Sequence, residues 1–405
     1  MTEGSAVARE ARALPGRKPG HRLRYVGAIL HQAIREHSVL IALVGLHLGV
    51  AAAMPAMLGR ALIFRFSLVD GYIFLGIIGL WVILIAAVAD VVLAALRART
   101  PHPLGFAWRR IADHHLRAAR LAGGLVVLIL LPPFAVSFGF LEALIPVLHK
   151  FTWDPTFATW DRWLHFGRAP WEWLQPVLGH PLATSILSAA YASWFFALYG
   201  VMFWQAFSER DPVLRMQYFL SSILVWAIVG NFGGTLLSSA GPIYYGRVTG
   251  LPDPYLPLVN YLHAASLEWP NFTLSLQERL WQVYLENGRD GVINGNVTAM
   301  PSLHVAVAFN LFLVGRATHR ILGLVLGLFA LVILIATVHL GWHYAIDGYA
   351  GILGTLVIWW ACGKLLRWPP LGRWLWGSRF IELARESEGR EPGRREPERV
   401  IRGEV

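Results

Sequence analysis

Apolar runs of about 18 residues or more recur along this chain, and few folds accommodate them. At about 1.5 Å of rise per residue, such a run crosses the roughly 30 Å hydrocarbon core of a bilayer as a helix. Lipid offers no partner to a backbone N–H or C=O, so a spanning segment of this length must bond to itself. The runs fall at 38–58, 72–96, 121–148, 182–207, 216–240, 302–316, 320–340 and 345–366. They predict an all-α fold, a polytopic transmembrane helical bundle of about eight spans. Composition agrees: 56% of residues are hydrophobic and 15% charged, where soluble domains carry about 25% charge. The run that begins at Ser302 is short, and the Pro132-Pro133 pair predicts a kink in the third span.

The net charge of +10 would suggest nucleic acid in a soluble protein. Here the basic residues gather at span ends, the positive-inside pattern, and nucleic acid is not an expected partner. The first 37 residues form a basic tail (Arg9, Arg12, Arg17, Lys18, Arg22, Arg24, Arg35) without the apolar core of a signal peptide. The 97–120 connection (Arg97, Arg99, Arg109, Arg110, Arg117, Arg120) is basic, as are Arg210 and Arg215, Arg316 and Arg320, and Lys364, Arg367, Arg373 and Arg379. Eight spans put all of these on one side, which predicts cytoplasmic termini; Arg60 and Arg65 fall on the other side and count against it. The long segments 149–181 and 241–301 then face the periplasm, lumen or exterior, as expected of a bacterial inner-membrane protein. Trp153, Trp160, Trp163, Trp171 and Trp173 mark the first as an aromatic segment for the headgroup level. Residues 38–120 read as a two-span appendage with its connection, 121–366 as the core, and 367–405 as a charged, disordered tail. Cys362 is the one cysteine, so neither an internal disulfide nor a cysteine metal cluster can form.

Ionisable groups inside lipid are costly and mark function. HLGWHYAIDG (339–348) places His339, His343 and Asp347 where the seventh span meets the outer surface. If helical, His343 and Asp347 share a face at i and i+4. A carboxylate there fixes the imidazole tautomer and leaves the other nitrogen free as nucleophile or base. A second polar island, TAMPSLHVA (298–306), has Pro301 and Ser302 in the first turn of a helix and His304 just inside it. Free N–H groups at such a terminus suit phosphate. Both islands fall on the same side of the predicted membrane. Two histidines and a carboxylate also make a facial metal triad. Against metal, Asp347 is spaced to orient His343, so no metal or organic cofactor is expected. His47, His149, His165 and His180 read as interfacial packing, and Asp90 and Glu142 receive no role.

PSLH at 301–304 resembles the PSGH motif of the type 2 phosphatidic acid phosphatase (PAP2) superfamily. ATVHLGWHYAID at 336–347 resembles that family's third motif, and the variant pair is closest to its inositolphosphotransferase branch, which includes inositol phosphorylceramide synthases. The resemblance implies a six-helix catalytic core within 121–366. It implies His343 as the nucleophile that forms a phosphohistidine and Asp347 as its orienting partner. His304 would act as general acid and then base, and Ser302 would bind phosphate. The chain departs from the pattern at Leu303, which stands for glycine, and at Thr337, which stands for arginine; a Lys-x6-Arg-Pro first motif is missing. The substitute for that missing charge is sought in SSAGPIYYGRVTG (238–250), with Arg247, Tyr244 and Tyr245. Arg247 reads equally as a snorkelling interfacial arginine. His339 is either a further phosphate donor or a packing residue.

The expected activity is lipid phosphotransfer, with phosphoinositol-type headgroup transfer favoured and an alcohol as acceptor. Hydrolysis of phosphatidic acid or prenyl diphosphate is the alternative. The segment 241–301 either caps the site and binds an acceptor headgroup or is a loop. A transporter with a histidine proton relay would spread polar groups along several spans and show a repeat, and neither is visible. A lipid-binding scaffold remains open through Thr337 and the missing first motif. The sequons at Asn271 and Asn296 read as chance.

Overall fold

The computed structural model describes residues 19–59, 61–64, 67–98, 118–286, 292–293 and 297–377. The first 18 residues, Arg60, Arg65, residues 99–117, Asn296 and the stretch from 378 onward lie outside the described residues. Helices form where the apolar runs predict them. After α1 (Pro19–Glu36) come α2 (Ser38–Met57), α3 (Leu68–Ala98) and α4 (Ala118–Leu148). Two amphipathic helices follow, α5 (Asp154–Leu164) and α6 (Pro170–Leu178), and then the fourth span, divided at Ser193 into α7 (Pro181–Ala192) and α8 (Trp194–Ala206). The fifth span is α9 (Pro212–Leu224), which continues as a π-helix over Val225–Gly233 and a closing turn at Gly234–Leu236. The 241–301 segment holds α10 (Tyr245–Thr249), α11 (Leu256–Glu268) and α12 (Phe272–Glu286), so most of it is helix rather than loop. The last helices are α13 (Leu303–Thr318), α14 (Arg320–His339), α15 (Ala345–Leu366) and α16 (Pro369–Trp376).

Among the described residues seven helices are long and apolar enough to span. The expected eighth, α13, is shorter, at 16 residues. It measures roughly 24 Å and sits inside the bundle, walled by α14, α15, α9 and α8. Its buried residues run from Val305 to Gly315, so protein surrounds most of its length, while Arg316 and Ala317 at its C-terminal end are exposed. α3 lies at the other extreme, with Ile77, Leu80, Trp81 and Ile85 turned outward as a lipid-facing surface requires.

Within the two tails the described residues are helical, which corrects the expected disorder for 369–376. Residues 19–36 form a helix that packs on α4, and Ala33 and His37 are buried. Residues 369–376 are likewise helical, with Leu375 and Trp376 buried. In each case a few apolar side chains within a basic stretch find a groove to fill.

α4 is one continuous helix through Pro132, Pro133 and Pro146. Pro133 has no N–H for the carbonyl of Ile129, four residues back. The Tyr72 hydroxyl donates to that carbonyl instead, at 2.8 Å. A neighbouring span thus fills the hydrogen-bond gap left by the proline.

His47 is not an interfacial packing residue. It is buried where α2, α4 and the π-helix meet: Nδ1 lies 2.8 Å from Ser137 Oγ and Nε2 lies 3.0 Å from Asn231 Oδ1. The Asn231 amide donates on to the Phe138 carbonyl at 3.2 Å. In hydrocarbon each of these groups needs a protein partner, and together they clamp the first span onto the core. His47→Ala is expected to lower stability by roughly 0.6–2 kcal/mol, the range for interhelical polar contacts in membranes. Thermal unfolding in detergent, compared with outward-facing Leu46→Ala, checks this.

Candidate active site

Three backbone segments meet at one end of the bundle: 238–241 after the fifth span, 297–304 leading into α13, and 340–347 between α14 and α15. They are stitched by main-chain and serine contacts. Ala299 N donates to Ser239 O at 2.8 Å, Met300 N to Ser239 Oγ at 3.2 Å, Ser302 N to Asp347 O at 2.9 Å and Ile243 N to Gly341 O at 2.9 Å. Two glycines allow the approach. Gly241 has φ +91°, and a Cβ there would lie 2.5 Å from the Trp342 carbonyl oxygen; at Gly351 it would lie 2.6 Å from the Ser302 carbonyl oxygen.

His343 is not on a helix, which corrects the helical i, i+4 expectation. It sits in the turn before α15, and Asp347 is the third residue of that helix. The contact survives the change: His343 Nδ1 lies 3.4 Å from Asp347 Oδ2. The same oxygen accepts from Tyr344 N at 3.1 Å, which caps the helix. Such catalytic hydrogen bonds are commonly long without substrate. The Asp347 side chain is fully buried and its Oδ1 has no protein partner. Burial pushes the His343 imidazole down to about 3, the nearby His304 adds to this, and a hydrogen bond to the Ala299 backbone opposes it. The ring is therefore neutral at physiological pH, as a nitrogen nucleophile requires.

His304 faces His343 with ring centroids 6.3 Å apart. Its ring stacks on Tyr191 at 4.7 Å and 25°, and Tyr191 stacks in turn on Trp342 at 5.5 Å and 6°. Trp194 holds the other flank at 4.7 Å and donates its indole N–H to the His304 carbonyl at 3.0 Å. Trp194 opens the second half of the fourth span, roughly 20 Å along it from Pro181. The imidazole is thus recessed well below the end of that span. Ser302 is the N-cap of α13 rather than a first-turn residue, and its Oγ accepts from Val305 N at 3.4 Å. The capping role uses an acceptor lone pair and leaves the O–H free to donate.

Two carboxylates that the sequence reading passed over hold this assembly in place. Asp154 accepts from Ala240 N and Gly241 N, both at 2.9 Å, and from the Tyr344 hydroxyl at 2.8 Å. Asp161 accepts from Ala345 N at 3.2 Å and Ile346 N at 3.1 Å, the free N–H groups at the start of α15. Both are almost fully buried, and burial raises both pKa values against the pull of the backbone donors. A signal existed. Asp154, Phe157, Ala158 and Asp161 form the buried stripe of α5, and two acids on the inward face of an aromatic helix require partners. The tryptophans of this segment divide: Trp160, Trp163 and Trp173 are exposed, while Trp153 stacks on Phe157.

The remaining candidates are placed as follows. Tyr245 is buried against Tyr255, in the cluster that also holds Met300 and Tyr344. His339 is fully buried, and its Nε2 lies 2.9 Å from Thr184 Oγ1, which also meets the Tyr261 hydroxyl at 2.7 Å. Arg247 donates to Glu278 at 2.9 Å and lies over Trp281 at 5.4 Å, so its charge is already answered on α12. A second arginine, Arg162, follows Asp161 on α5 and donates to Glu172 at 3.4 Å. Thr337 has a structural reason to be uncharged. It is fully buried and its carbonyl accepts from Trp342 N at 2.9 Å and His343 N at 3.2 Å. Two other histidines exceed their interfacial reading: His165 bridges the Asp161 carbonyl and the Tyr349 hydroxyl, and His180 caps α7. Among the described residues no group of three or more His, Cys, Asp or Glu could hold a metal ion.

The family model of the PAP2 superfamily matches residues 155–361, just over half of the 405-residue chain. The chain belongs to the PAP2 superfamily. The match takes in Asp161, His304, His343 and Asp347 and leaves the first three spans outside it. Neither a curated protein nor a solved structure matches the chain. As a PAP2 superfamily member with seven helices among the described residues long and apolar enough to span, it is an integral membrane protein with phosphatase- or phosphotransferase-type lipid phosphate chemistry.

Proposed function

We propose that this PAP2 superfamily member is a lipid phosphotransferase that works through a phosphohistidine at His343, with phosphoinositol-type headgroup transfer favoured. The observation that carries the reading is a neutral, buried His343 paired with Asp347 and facing His304 across 6.3 Å. In the first half-reaction His343 Nε2 attacks phosphorus and the bond to the leaving alkoxide breaks. His304, entering this step as the imidazolium, gives that oxygen its proton and becomes neutral, and Asp347 holds the Nδ1–H and stabilises the charge on the His343 ring. In the second, an acceptor hydroxyl passes its proton to His304, attacks phosphorus and breaks the P–N bond. Ser302, the N–H groups around it, Tyr245 and His339 surround the phosphate; Arg247 supplies charge by exchanging Glu278 for it.

Transfer rather than hydrolysis is supported by the PSLH and WHYAID variants and by α11 and α12, which build a packed layer over the 340–344 turn. Gln277 of α12 donates to the Leu340 carbonyl at 2.9 Å, and Tyr244 donates to the Gln277 carbonyl at 2.7 Å. Such a layer restricts water and offers an acceptor its own walls. Hydrolysis is favoured by the phosphatase character of the superfamily. The arginine pattern supports a bacterial inner-membrane protein with cytoplasmic termini and an outward-facing site.

The test offers purified protein in nanodiscs phosphatidic acid, prenyl diphosphate and phosphatidylinositol separately, with and without ceramide or diacylglycerol. A new phospholipid formed only with acceptor is the expected result. Free phosphate without acceptor would make the protein a phosphatase, and silence on every lipid would overturn both readings.

A further inference from the structure

A cavity of about 190 Å³ lies in the middle of the bundle. Leu40 and Val44 of the first span, Phe74 of the second, Leu131 of the third, Tyr199 of the fourth and Trp226 of the fifth line it. The lining is almost wholly apolar. The His47 clamp helps to hold one wall, since the His47 ring packs on cavity-lining Phe134 at 4.8 Å. Two aromatic rings stand between the cavity and the catalytic end, so the cavity borders the site through packed side chains. Trp226 lies 6.3 Å from Trp194, which contacts both the ring and the carbonyl of His304. His304 lies beside Trp194, about halfway along the fourth span, and the cavity lies further along it, at Leu198, Tyr199 and Met202. A lipid whose phosphate meets His343 carries its hydrocarbon chain in that direction.

We propose that this cavity binds a hydrocarbon chain of the lipid phosphate substrate, which makes the first two spans part of substrate recognition. The proposal rests on reading the site as one for lipid phosphates. A chain in a bilayer is already surrounded by hydrocarbon, so a protein cavity gains little from the hydrophobic effect. What it adds is close packing of defined shape and depth. It therefore selects among chains and fixes the headgroup at the histidines, rather than supplying bulk affinity. The wall formed by α2 and α3 lies outside the matched region 155–361, so this selectivity belongs to the chain's own N-terminal spans.

Two measurements test it. Ala135 lines the cavity with its small side chain exposed, and Ala135→Trp would fill the space. The ratio of kcat/KM for a long-chain over a short-chain form of the lipid that the wild type turns over is expected to fall on the order of tenfold. Ile85→Trp, on the outward face of α3, should leave that ratio unchanged. Secondly, His343→Ala protein in nanodiscs is irradiated with phosphatidic acid bearing a mid-chain diazirine. Label on Tyr199, Met202 or Trp226, competed by unlabelled phosphatidic acid and not by phosphatidylcholine, is the expected result. Label confined to outward residues such as Ile77 and Leu80, or competed equally by both lipids, would overturn the proposal in favour of bulk lipid. Cavity label without turnover of any lipid phosphate by the wild type would keep the chain site and sink the phosphohistidine reading. Turnover with an unchanged chain-length ratio would sink the chain site alone.

Discussion

His343→Ala is expected to reduce kcat by roughly 10⁴-fold or more, to below detection, because in the proposed mechanism it removes the atom that bonds to phosphorus. Protein yield and thermal midpoint should stay near wild type, since the His343 side chain has few hydrogen bonds to lose. Brief reaction with ³²P-labelled lipid and an acid-sensitivity test should trap label on the wild type and none on the variant. Asp347→Asn separates charge from geometry. An amide oxygen in place of Oδ2 keeps both the His343 and Tyr344 contacts, and the amide nitrogen then occupies the position of Oδ1, which has no partner. What is lost is the negative charge beside a ring that becomes cationic, and kcat should fall by roughly 10²–10⁴-fold. With His343 held neutral down to about 3, kcat/KM toward a phosphodiester should show no loss from its protonation between neutral pH and about pH 5. Full activity in either variant would remove His343 and Asp347 from the mechanism.

Asp154→Ala carries the second large effect, and it acts through architecture. The substitution leaves Ala240 N, Gly241 N and the Tyr344 hydroxyl without an acceptor. At roughly 1–3 kcal/mol for each buried donor left unmade, the loss is about 3–5 kcal/mol even if one finds water. The midpoint of thermal unfolding in detergent should drop on the order of 5–10 °C. Activity should fall with it, because Gly241 N and Tyr344 fix the turn that carries His343. Asp154→Asn keeps one acceptor oxygen and should be intermediate. Trp163→Ala on the same helix, 80% exposed, should change neither. An Asp154→Ala protein as stable and active as wild type would mean that Asp154 does not hold the site together.

The span pattern was readable because bilayer thickness and backbone hydrogen bonding leave a long apolar run little choice but a helix. Seven of the eight expected spans meet the length and hydropathy of a membrane crossing, and their ends agree within a few residues. The eighth, α13, is short, as its apolar run already showed, but that its middle is packed among four other helices is something no local pattern announces. The candidate site islands were legible for a related reason. Histidine and aspartate beside lipid stand out against an apolar background, and their short spacing kept His343 near Asp347 even though the helix begins after the histidine.

The partners across the chain were not legible. Asp154 and Asp161 meet the start of α15 at sequence separations of 184 and more, and His47 meets Asn231 at 184. Arg247 carried the right charge on the right segment, yet the fold gave it Glu278. A sequence by itself determined which segments live in lipid and which residue types have the reactivity for phosphate transfer, because both follow from local composition. Only the tertiary structure decided which buried donors face which carboxylates, because in a low-dielectric interior each polar group must find a partner, and that partner is chosen by packing rather than by proximity along the chain.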